Sequence, residues 1–463
     1  MPDAHALVSH DGAIVFRVFG RLPVTLTTIK YATFLLAGVA SLWPWNCFLS
    51  ASDYFQDRFA SSPKLADNYS STMMTVSTLT STLFNYHLSR TQKGVNYAWL
   101  LKLGNYMQMA IFAVMAISVF LPQSWVGFYF VFVMANVMFT SIGTSLTQVG
   151  MMAMVNVQSP IYANATVVGN AIAGVLPSIA MIVAVVSNPM ISLSKTKDIS
   201  TTTTSTTNVD RTKDAVEYFI TSVIIAALAQ IGIFLMEYYE KRVYVPSAAL
   251  FIDDEDNNEI DDTIETVDAA VSESDEHLEL RLEEITKIDD EFISFSQLWS
   301  KLKYVESTII IDFAVTLVFP VFASSIESTN NISKKLFVPL AFLIWNVGDL
   351  IGRVLCAFPT FIVKRNSTLI IYAIARVAFI PLFLLCNIKN RGDSSIGDSG
   401  YLLIQLLFGI SNGQLFSSSY MCVGELLDTG VERKAAAAFT ALLINLSLLA
   451  GSLGSFLVVY FCL

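Results

Sequence analysis

The chain has 463 residues, of which 54% are hydrophobic and only 14% are charged. Soluble domains carry about a quarter charged residues, so this composition, with a mean hydropathy of +0.57, excludes an ordinary soluble protein. Repeated apolar runs of about 20 residues instead predict an all-α polytopic membrane protein.

About eleven apolar spans follow one another along the chain, six before a long acidic loop and five after it. Their approximate ranges are 29–51, 70–88, 96–121, 125–154, 162–186, 215–239, 309–325, 343–357, 369–386, 402–424 and 435–463. The predicted units are a cytoplasmic tail (1–28), a six-helix bundle (29–242), an acidic cytoplasmic loop (243–300) and a five-helix bundle (301–463). Lys and Arg beside the spans favour a cytoplasmic N-terminus and a lumenal or extracellular C-terminus.

The net charge of −10 is concentrated in the loop. Residues 253–291 contain 18 acids and two bases, a net charge of −16, which leaves +6 for the rest of the chain. The acidity therefore says nothing about charge along a membrane pathway, and this composition predicts disorder. Apolar residues recur at helical spacing between Leu278 and Phe292, which predicts an amphipathic helix at the end of the loop.

Two spans of the first bundle carry groups suited to the wall of a cavity. Span one contains Leu42-Trp-Pro-Trp-Asn46, and its proline predicts a bend beside Trp45 and Asn46. An interfacial anchor is the alternative for Trp45, but the predicted span places this residue inside the membrane. Span four has a polar face, on which Gln148 is the strongest hydrogen-bonding group.

The eighth span carries both an acid and a base. Asp349 and Arg353 are four residues apart and share one helix face, which Asn346 extends. Charges near the centre of a bilayer are costly and usually functional, and they face protein or water rather than lipid. Two interpretations remain open on this spacing: an ion pair that locks two helices together, or a polar substrate site inside the bundle.

Other chemistry is not indicated by the sequence. The five cysteines lie in or beside apolar runs without metal-ligand spacing, so we expect neither a metal nor a cofactor. An enzyme would need a nucleophile with a base or clustered metal ligands, and a channel would need a filter sequence or rings of charge. We find none of these in the sequence, and the protein is predicted not to be an enzyme.

Five motifs, in order and in the expected spans, resemble the equilibrative nucleoside transporter family, most closely its fungal members. The motifs are Pro44-Trp45-Asn46, Gly169 to Gly174, Asn346-x-x-Asp349-x-x-Gly352-Arg353, Arg376 to Asn387, and Ser411-Asn412-Gly413. The resemblance implies facilitated diffusion of nucleosides by alternating access. It also implies a fold similar to that of major facilitator proteins, with one helix fewer in the second half.

The resemblance implies four substrate contacts and several supporting positions. The substrate contacts carried over are Trp45, Gln148, Asp349 and Arg353. The supporting positions are Leu42, Asn46, Leu49, Asn346 and Arg376. The chain departs from the family pattern at Gln414, where an aromatic residue is expected, so the role of that position stays open.

The residue chemistry agrees with this assignment. The Gln148 amide offers both a donor and an acceptor to the edge of a base. The Asp349 carboxylate can accept bonds from ribose hydroxyls, while Arg353 holds the carboxylate and donates to ribose oxygens. Trp45 supplies an apolar wall.

The sequence favours a uniporter over a proton-coupled nucleoside symporter that uses Asp349. Asp349 is the one carboxylate expected deep in a span, and Arg353 one turn away favours its ionised form. Asp312 is expected near the end of span seven, where water reaches it. No acid then remains that could gain and lose a proton during transport.

Substrate range and location are less well defined. Purine and pyrimidine nucleosides such as adenosine and uridine, nucleobases and nicotinamide riboside all remain open as substrates. Besides substrate and the lipid bilayer we expect no partner, no nucleic acid and a monomer. Asn68 and Asn331 lie in glycosylation sequons on the outer or lumenal side. The lack of a large glycosylated first loop and the resemblance to fungal members favour the vacuolar membrane over the plasma membrane.

Overall fold

The computed structural model describes residues 14–18, 22–122, 125–187, 204–252, 291–317, 322–323, 325–388 and 396–462. These residues are mostly helical. An antiparallel hairpin of β1 (Ile14–Val18) and β2 (Leu22–Thr25) leads into the first helix, within the segment predicted to be a simple tail.

The helices fall into two sequential groups on either side of the predicted acidic loop. The first group is α1 (Leu26–Ser50), α2 (Ser52–Arg58), α3 (Pro63–Arg90), α4 (Tyr97–Ser118), α5 (Val126–Asn156), α6 (Pro160–Ser187) and α7 (Thr204–Ile252). The second is α8 (Phe295–Thr316), α9 (Lys334–Leu355), α10 (Asn366–Ala375), α11 (Phe379–Leu384), α12 (Asp398–Glu425) and α13 (Gly430–Cys462). Short 3-10 turns lie at Pro359–Phe361 and Arg376–Ala378.

Seven helical segments among the described residues are long and apolar enough to cross a membrane. They are Leu26–Ser50, Tyr97–Ser118, Val126–Asn156, Thr212–Lys241, Leu336–Leu355, Asn366–Leu384 and Gly430–Gly451. The class predicted from composition, a helical polytopic membrane protein, is therefore confirmed. The count of eleven spans stays a prediction, and α3 illustrates why, because its many Ser and Thr residues lower its mean hydropathy.

The loop boundaries differ from the sequence prediction. Helix α7 begins at Thr204, before the predicted start of span six at residue 215, and continues to Ile252, past the predicted start of the acidic loop at residue 243. The predicted amphipathic helix falls almost wholly within residues 253–290, which lie outside the described residues. The division of the chain into four units stays a prediction.

The ninth predicted span is interrupted at its centre. Helix α10 ends at Ala375, a 3-10 turn covers Arg376–Ala378, and α11 follows. Pro381 has no N–H to donate to the carbonyl of Val377, so the regular pattern of helical hydrogen bonds is interrupted here. The turn places the Arg376 side chain in the protein interior, where it is 1% exposed.

The two helix groups share one apolar core at the face where α1 begins. This joint core includes Phe34 and Met152 from the first group together with Leu302 and Phe439 from the second. At the opposite face each group has its own cluster of buried apolar residues, one around Phe48 to Phe59 and one around Phe322 to Phe408. The two halves are thus joined at one face and packed separately at the other.

Glycines allow helix backbones to touch at two contacts that position the site. A Cβ at Gly169 of α6 would overlap the carbonyl oxygen of Leu35 in α1. A Cβ at Gly413 of α12 would overlap the carbonyl oxygen of Asp349 in α9. Close approach of this kind is typical of small residues in membrane helices, and it fixes α9 against α12 with no side chain between them.

Candidate functional site

The acid and base of the eighth span form a buried ion pair on α9. Arg353 Nε lies 2.9 Å from Asp349 Oδ2, as their four-residue spacing on one helix predicts. Asp349 is 3% exposed and Arg353 is 9% exposed. A buried ion pair is stable only when further hydrogen bonds satisfy both groups, so the remaining partners define the site.

Arg353 also connects α9 to α6 of the first half. Its Nη1 donates to the carbonyl oxygen of Val167 at 2.7 Å, and its guanidinium lies over the Phe416 ring at 5.1 Å. Asn164, also on α6, donates from Nδ2 to the Arg353 carbonyl oxygen and to Ser417 Oγ, each at 2.9 Å. The ion pair therefore lies where the two halves meet.

A second buried ion pair joins Arg376 to Asp312 of α8. The Arg376 guanidinium also donates from Nε to Ser411 Oγ at 3.2 Å and lies over the Phe408 ring at 4.7 Å. The expectation that water reaches Asp312 is wrong, because this residue is 1% exposed. Helix α8 begins at Phe295 rather than near Ile309, so Asp312 lies about five turns inside it.

Asn412 of α12 lies between the two ion pairs. Its Nδ2 donates to Asp349 Oδ1 at 2.6 Å. Its Oδ1 accepts from Arg376 Nη2 at 3.2 Å and lies 2.6 Å from the Thr316 hydroxyl oxygen. The sequence placed Asn412 in a motif without a partner, and no pattern in the sequence identifies these contacts.

Two predicted supporting residues bond to the same stretch of α6 from opposite sides. Asn46 Nδ2 donates to the Ala173 carbonyl oxygen at 2.9 Å, and Asn346 Nδ2 donates to Ser178 Oγ at 3.0 Å. Gly174 leaves room for this arrangement, since a Cβ there would lie 2.8 Å from Asn346 Oδ1. Helices α1 and α9 are thereby set at fixed positions on α6.

The remaining predicted site residues lie on α1 and α5. Trp45 and Leu49 are half-buried and pack against the apolar cluster around Phe48, and Leu42 is half-buried one turn before Asn46. Gln148 is half-buried on α5, and its amide makes no hydrogen bond to any residue that the structure describes. The hydrogen bonds link Asp349, Arg353 and Arg376 through Asn412, but they do not extend to Trp45 or Gln148.

Gln414 connects α12 to the segment between α9 and α10. Its Nε2 donates to the Phe361 carbonyl oxygen at 2.9 Å, and its Oε1 accepts from Tyr372 OH at 3.2 Å. An amide therefore ties the 3-10 turn to α12 at the face of the joint core, where the family pattern led us to expect an aromatic ring.

Glu306 of α8 is a further buried acid that the sequence did not single out. It is 0% exposed, and its Oε1 accepts from Thr440 Oγ1 of α13. Asp349 is therefore not the one buried carboxylate of the chain, contrary to the prediction. Because Lys301 and Lys303 are charged, the sequence placed this part of α8 before the predicted start of span seven at residue 309.

Two helical halves around a buried polar network are the fold of major facilitator proteins, and solved structures share this fold. The proton:xylose symporter XylE bound to 6-bromo-6-deoxy-D-glucose matches with a TM-score of 0.56 and 15% identity, covering 94% of this chain and 90% of that one. Human MFSD10, an organic anion transporter, matches with a TM-score of 0.52 and 13% identity, covering 92% of both chains.

The family follows from the sequence comparisons. The family model described as Nucleoside transporter matches residues 134–460. The nucleoside transporter FUN26 of Saccharomyces cerevisiae is 35% identical over 472 residues, covering 94% of this chain and 85% of that protein. Equilibrative nucleoside transporter 2 of Rattus norvegicus is 26% identical, covering 92% of this chain and 95% of that protein. The chain belongs to the nucleoside transporter family, and the predicted resemblance is confirmed.

Proposed function

We propose that the chain is a facilitative transporter of nucleosides that works by alternating access. The observation that carries the proposal is the Asp349–Arg353 pair, buried where the two halves meet in a member of the nucleoside transporter family. A site between two halves suits a mechanism in which one half rocks against the other. The joint core at one face and the separate clusters at the other support an arrangement that is closed on one side.

The two charged residues keep capacity for a ribose. Asp349 Oδ1 accepts one hydrogen bond, from Asn412, and Oδ2 lies 2.9 Å from Arg353 Nε in the ion pair, whereas an ionised carboxylate has about four acceptor positions. Among the described residues the Arg353 guanidinium donates one hydrogen bond, from Nη1 to the Val167 carbonyl oxygen, and it faces Asp349 as an ion pair, so N–H groups on Nη2 remain for a ligand. Vicinal ribose hydroxyls therefore match the pair, with Trp45 as an apolar wall and the Gln148 amide available for a base edge.

Ion pairing of both central acids supports uniport. Asp349 and Asp312 each form an ion pair with an arginine, so neither is a buried carboxylate without a cation. Proton-coupled symport is the alternative, and Glu306 favours it, because this buried carboxyl bonds to a neutral hydroxyl and not to a cation among the described residues. Glu306 bonds to α13, whereas the Asp349–Arg353 pair bonds to α6 and α12. We propose uniport because the buried acid without a cation is therefore separate from the proposed substrate site.

The test of this proposal is accumulation of uridine. Proteoliposomes that contain the purified chain should equilibrate labelled uridine without concentrating it, whichever sign of pH gradient is imposed. Accumulation above the external level that an ionophore abolishes would establish symport instead. Asp349→Asn and Glu306→Gln would then identify the proton carrier, because only the responsible variant should lose accumulation while retaining exchange. Absence of any uridine uptake by folded protein would contradict the transport proposal itself.

A second test concerns the base. If the Gln148 amide recognises the base edge, Gln148→Ala should change the ranking among uridine, adenosine and inosine by about two- to tenfold, the effect of one hydrogen bond. The requirement for ribose should remain. Competition of each nucleoside against labelled uridine measures the ranking. An equal loss for all substrates would show that Gln148 supports the fold rather than the base.

We further propose a monomer in the vacuolar membrane, with the N-terminus cytoplasmic and the C-terminus lumenal. Asn68 and Asn331, each in a glycosylation sequon, are both exposed, and both adjoin the face opposite the joint core. That placement agrees with a lumenal position for this face. Nucleobases and nicotinamide riboside are included as candidate substrates, and uptake assays with each compound separate them.

A further inference from the structure

The amide of Asn412 has one orientation that satisfies its neighbours. Its Oδ1 faces two donors, Arg376 Nη2 at 3.2 Å and the Thr316 hydroxyl at 2.6 Å. Its Nδ2 faces Asp349 Oδ1 at 2.6 Å, and this carboxylate can only accept. Reversing the amide would place an oxygen against a carboxylate and an N–H against a guanidinium, so the surroundings fix the direction of the hydrogen bond.

The hydrogen bond from Asn412 differs from the bonds of Arg353 in one respect. Asp349, Asn412, Arg376 and Asp312 all belong to the second half of the chain, so their bonds do not cross the interface between halves. Arg353 bonds to Val167 of α6 in the first half. When the halves separate at this interface during alternating access, the Arg353–Val167 bond must break, whereas the Asn412–Asp349 bond can persist.

We propose that Asn412 is a positioning residue that holds the Asp349 carboxylate in its substrate-binding orientation throughout the transport cycle. It does so by tying this carboxylate to the Arg376–Asp312 pair. The inference rests on the proposed function in one respect, namely that Asp349 contacts the nucleoside.

The charges around Asn412 are balanced. Asp312 faces it from α8, Asp349 and Arg353 from α9, and Arg376 from the 3-10 turn. The other helices that pack against α12 are α5, α6, α10, α11 and α13. The first four contain no Asp, Glu, Lys, Arg or His, and the charged residues of α13 are Glu432, Arg433 and Lys434, near its start. Two acids and two bases therefore surround a neutral amide, so an added charge at this position acts directly on Asp349.

Asn412→Asp is the decisive variant because a carboxyl has nearly the shape of the amide. Two carboxylates within hydrogen-bonding distance do not both ionise readily, so one of them binds a proton. With the proton present, the hydrogen bond between positions 412 and 349 forms again; without it, the two carboxylates repel each other. Uridine uptake by Asn412→Asp relative to wild type should therefore be retained at acidic pH. It should fall as pH rises, by up to about tenfold per pH unit once the proton is lost.

Asn412→Ala tests the same hydrogen bond without adding a charge. Loss of a bond to a charged group should raise the KM for uridine about tenfold, with a smaller change in the maximal rate per folded transporter. Asn445 of α13 is the matched control, since its amide donates to the Ala441 carbonyl oxygen of its own helix at 3.0 Å. Asn445→Ala and Asn445→Asp should leave both the KM and the pH profile as in the wild type.

The outcomes separate this inference from the proposed function. A pH profile of Asn412→Asp that matches the wild type overturns the inference. If Asn412→Asp does not fold, the KM of Asn412→Ala decides, and an unchanged KM overturns the inference. If Asp349→Asn takes up uridine normally, the proposed substrate site fails instead. If Asp349→Asn abolishes uptake while the Asn412 variants behave like the Asn445 controls, only the positioning role fails.

Discussion

Replacing Arg353 with alanine should abolish nucleoside uptake by protein that still reaches the membrane. The change removes the partner of Asp349 and leaves a carboxylate that is 3% exposed without its cation. Breaking a buried ion pair in this way costs about 3–5 kcal/mol. It also removes the bond from Arg353 Nη1 to Val167, so the contact between the two halves weakens. Initial rates of labelled uridine uptake, normalised to the amount of folded transporter, measure the effect.

Arg353→Lys should also lose most activity. Nε lies 2.9 Å from Asp349 Oδ2 in the ion pair while Nη1 donates to the Val167 carbonyl oxygen, and one ammonium cannot occupy both positions of a planar guanidinium. Lys334→Ala is the matched control, because Lys334 pairs with Glu327 at 3.6 Å on the surface, where such pairs contribute about 0–1 kcal/mol. Near-normal uptake by Arg353→Ala protein would contradict the assignment of the site.

The largest loss of stability is expected from Arg376→Ala. This arginine is 1% exposed and bonds to Asp312, Ser411, Thr316 and Asn412. Its removal leaves the Asp312 carboxylate buried and unpaired, at a cost of about 3–5 kcal/mol. Thermal unfolding in detergent, followed by size-exclusion chromatography with fluorescence detection, should show a clear fall in the midpoint temperature.

A double variant distinguishes the charge from the packing. Arg376→Met combined with Asp312→Asn removes both charges and keeps most of the volume, so it should recover much of the midpoint lost in Arg376→Ala. Lys364→Ala, at an exposed pair with Glu425 of 3.5 Å, should leave the midpoint within about the effect of a surface ion pair. A midpoint for Arg376→Ala equal to that of Lys364→Ala would show that Asp312 does not depend on its cation.

Local patterns predicted the parts of the site that lie on one helix. The spacing of Asp349 and Arg353 fixed their pairing, and Asn346 lies on the face that the same spacing indicated. Arg376 was recognised as a supporting residue through the family resemblance, but its pairing with Asp312 was not predicted. The predicted start of span seven followed hydropathy, which excluded the charged first turns of α8. Asp312 was therefore expected near the end of a span, although it is buried well inside the helix.

Contacts between distant segments could not be predicted in this way. Asn412 meets Asp349 across 63 residues of chain and Arg376 across 36, and only the packing of α12 against α9 and the 3-10 turn brings them together. The hairpin before α1 was missed because its sequence shows no clear strand alternation. The length of α7 was missed because Lys241 and Arg242 indicated the end of a span, whereas the helix continues to Ile252. Membrane class, fold family and the central ion pair were predictable, since each depends on composition, motif order or spacing along one helix.

The joint core makes the rate of the conformational cycle depend on temperature in a particular way. Opening the face where α1 begins would transfer apolar side chains such as Phe34 and Phe439 from protein contacts to a water-filled vestibule. Exposure of apolar surface to water raises heat capacity. The opening step therefore carries a heat capacity of activation, and its enthalpic barrier changes with temperature. At the opposite face, closure brings the two separate clusters together and expels water from between them. Solvent entropy favours this closure near room temperature.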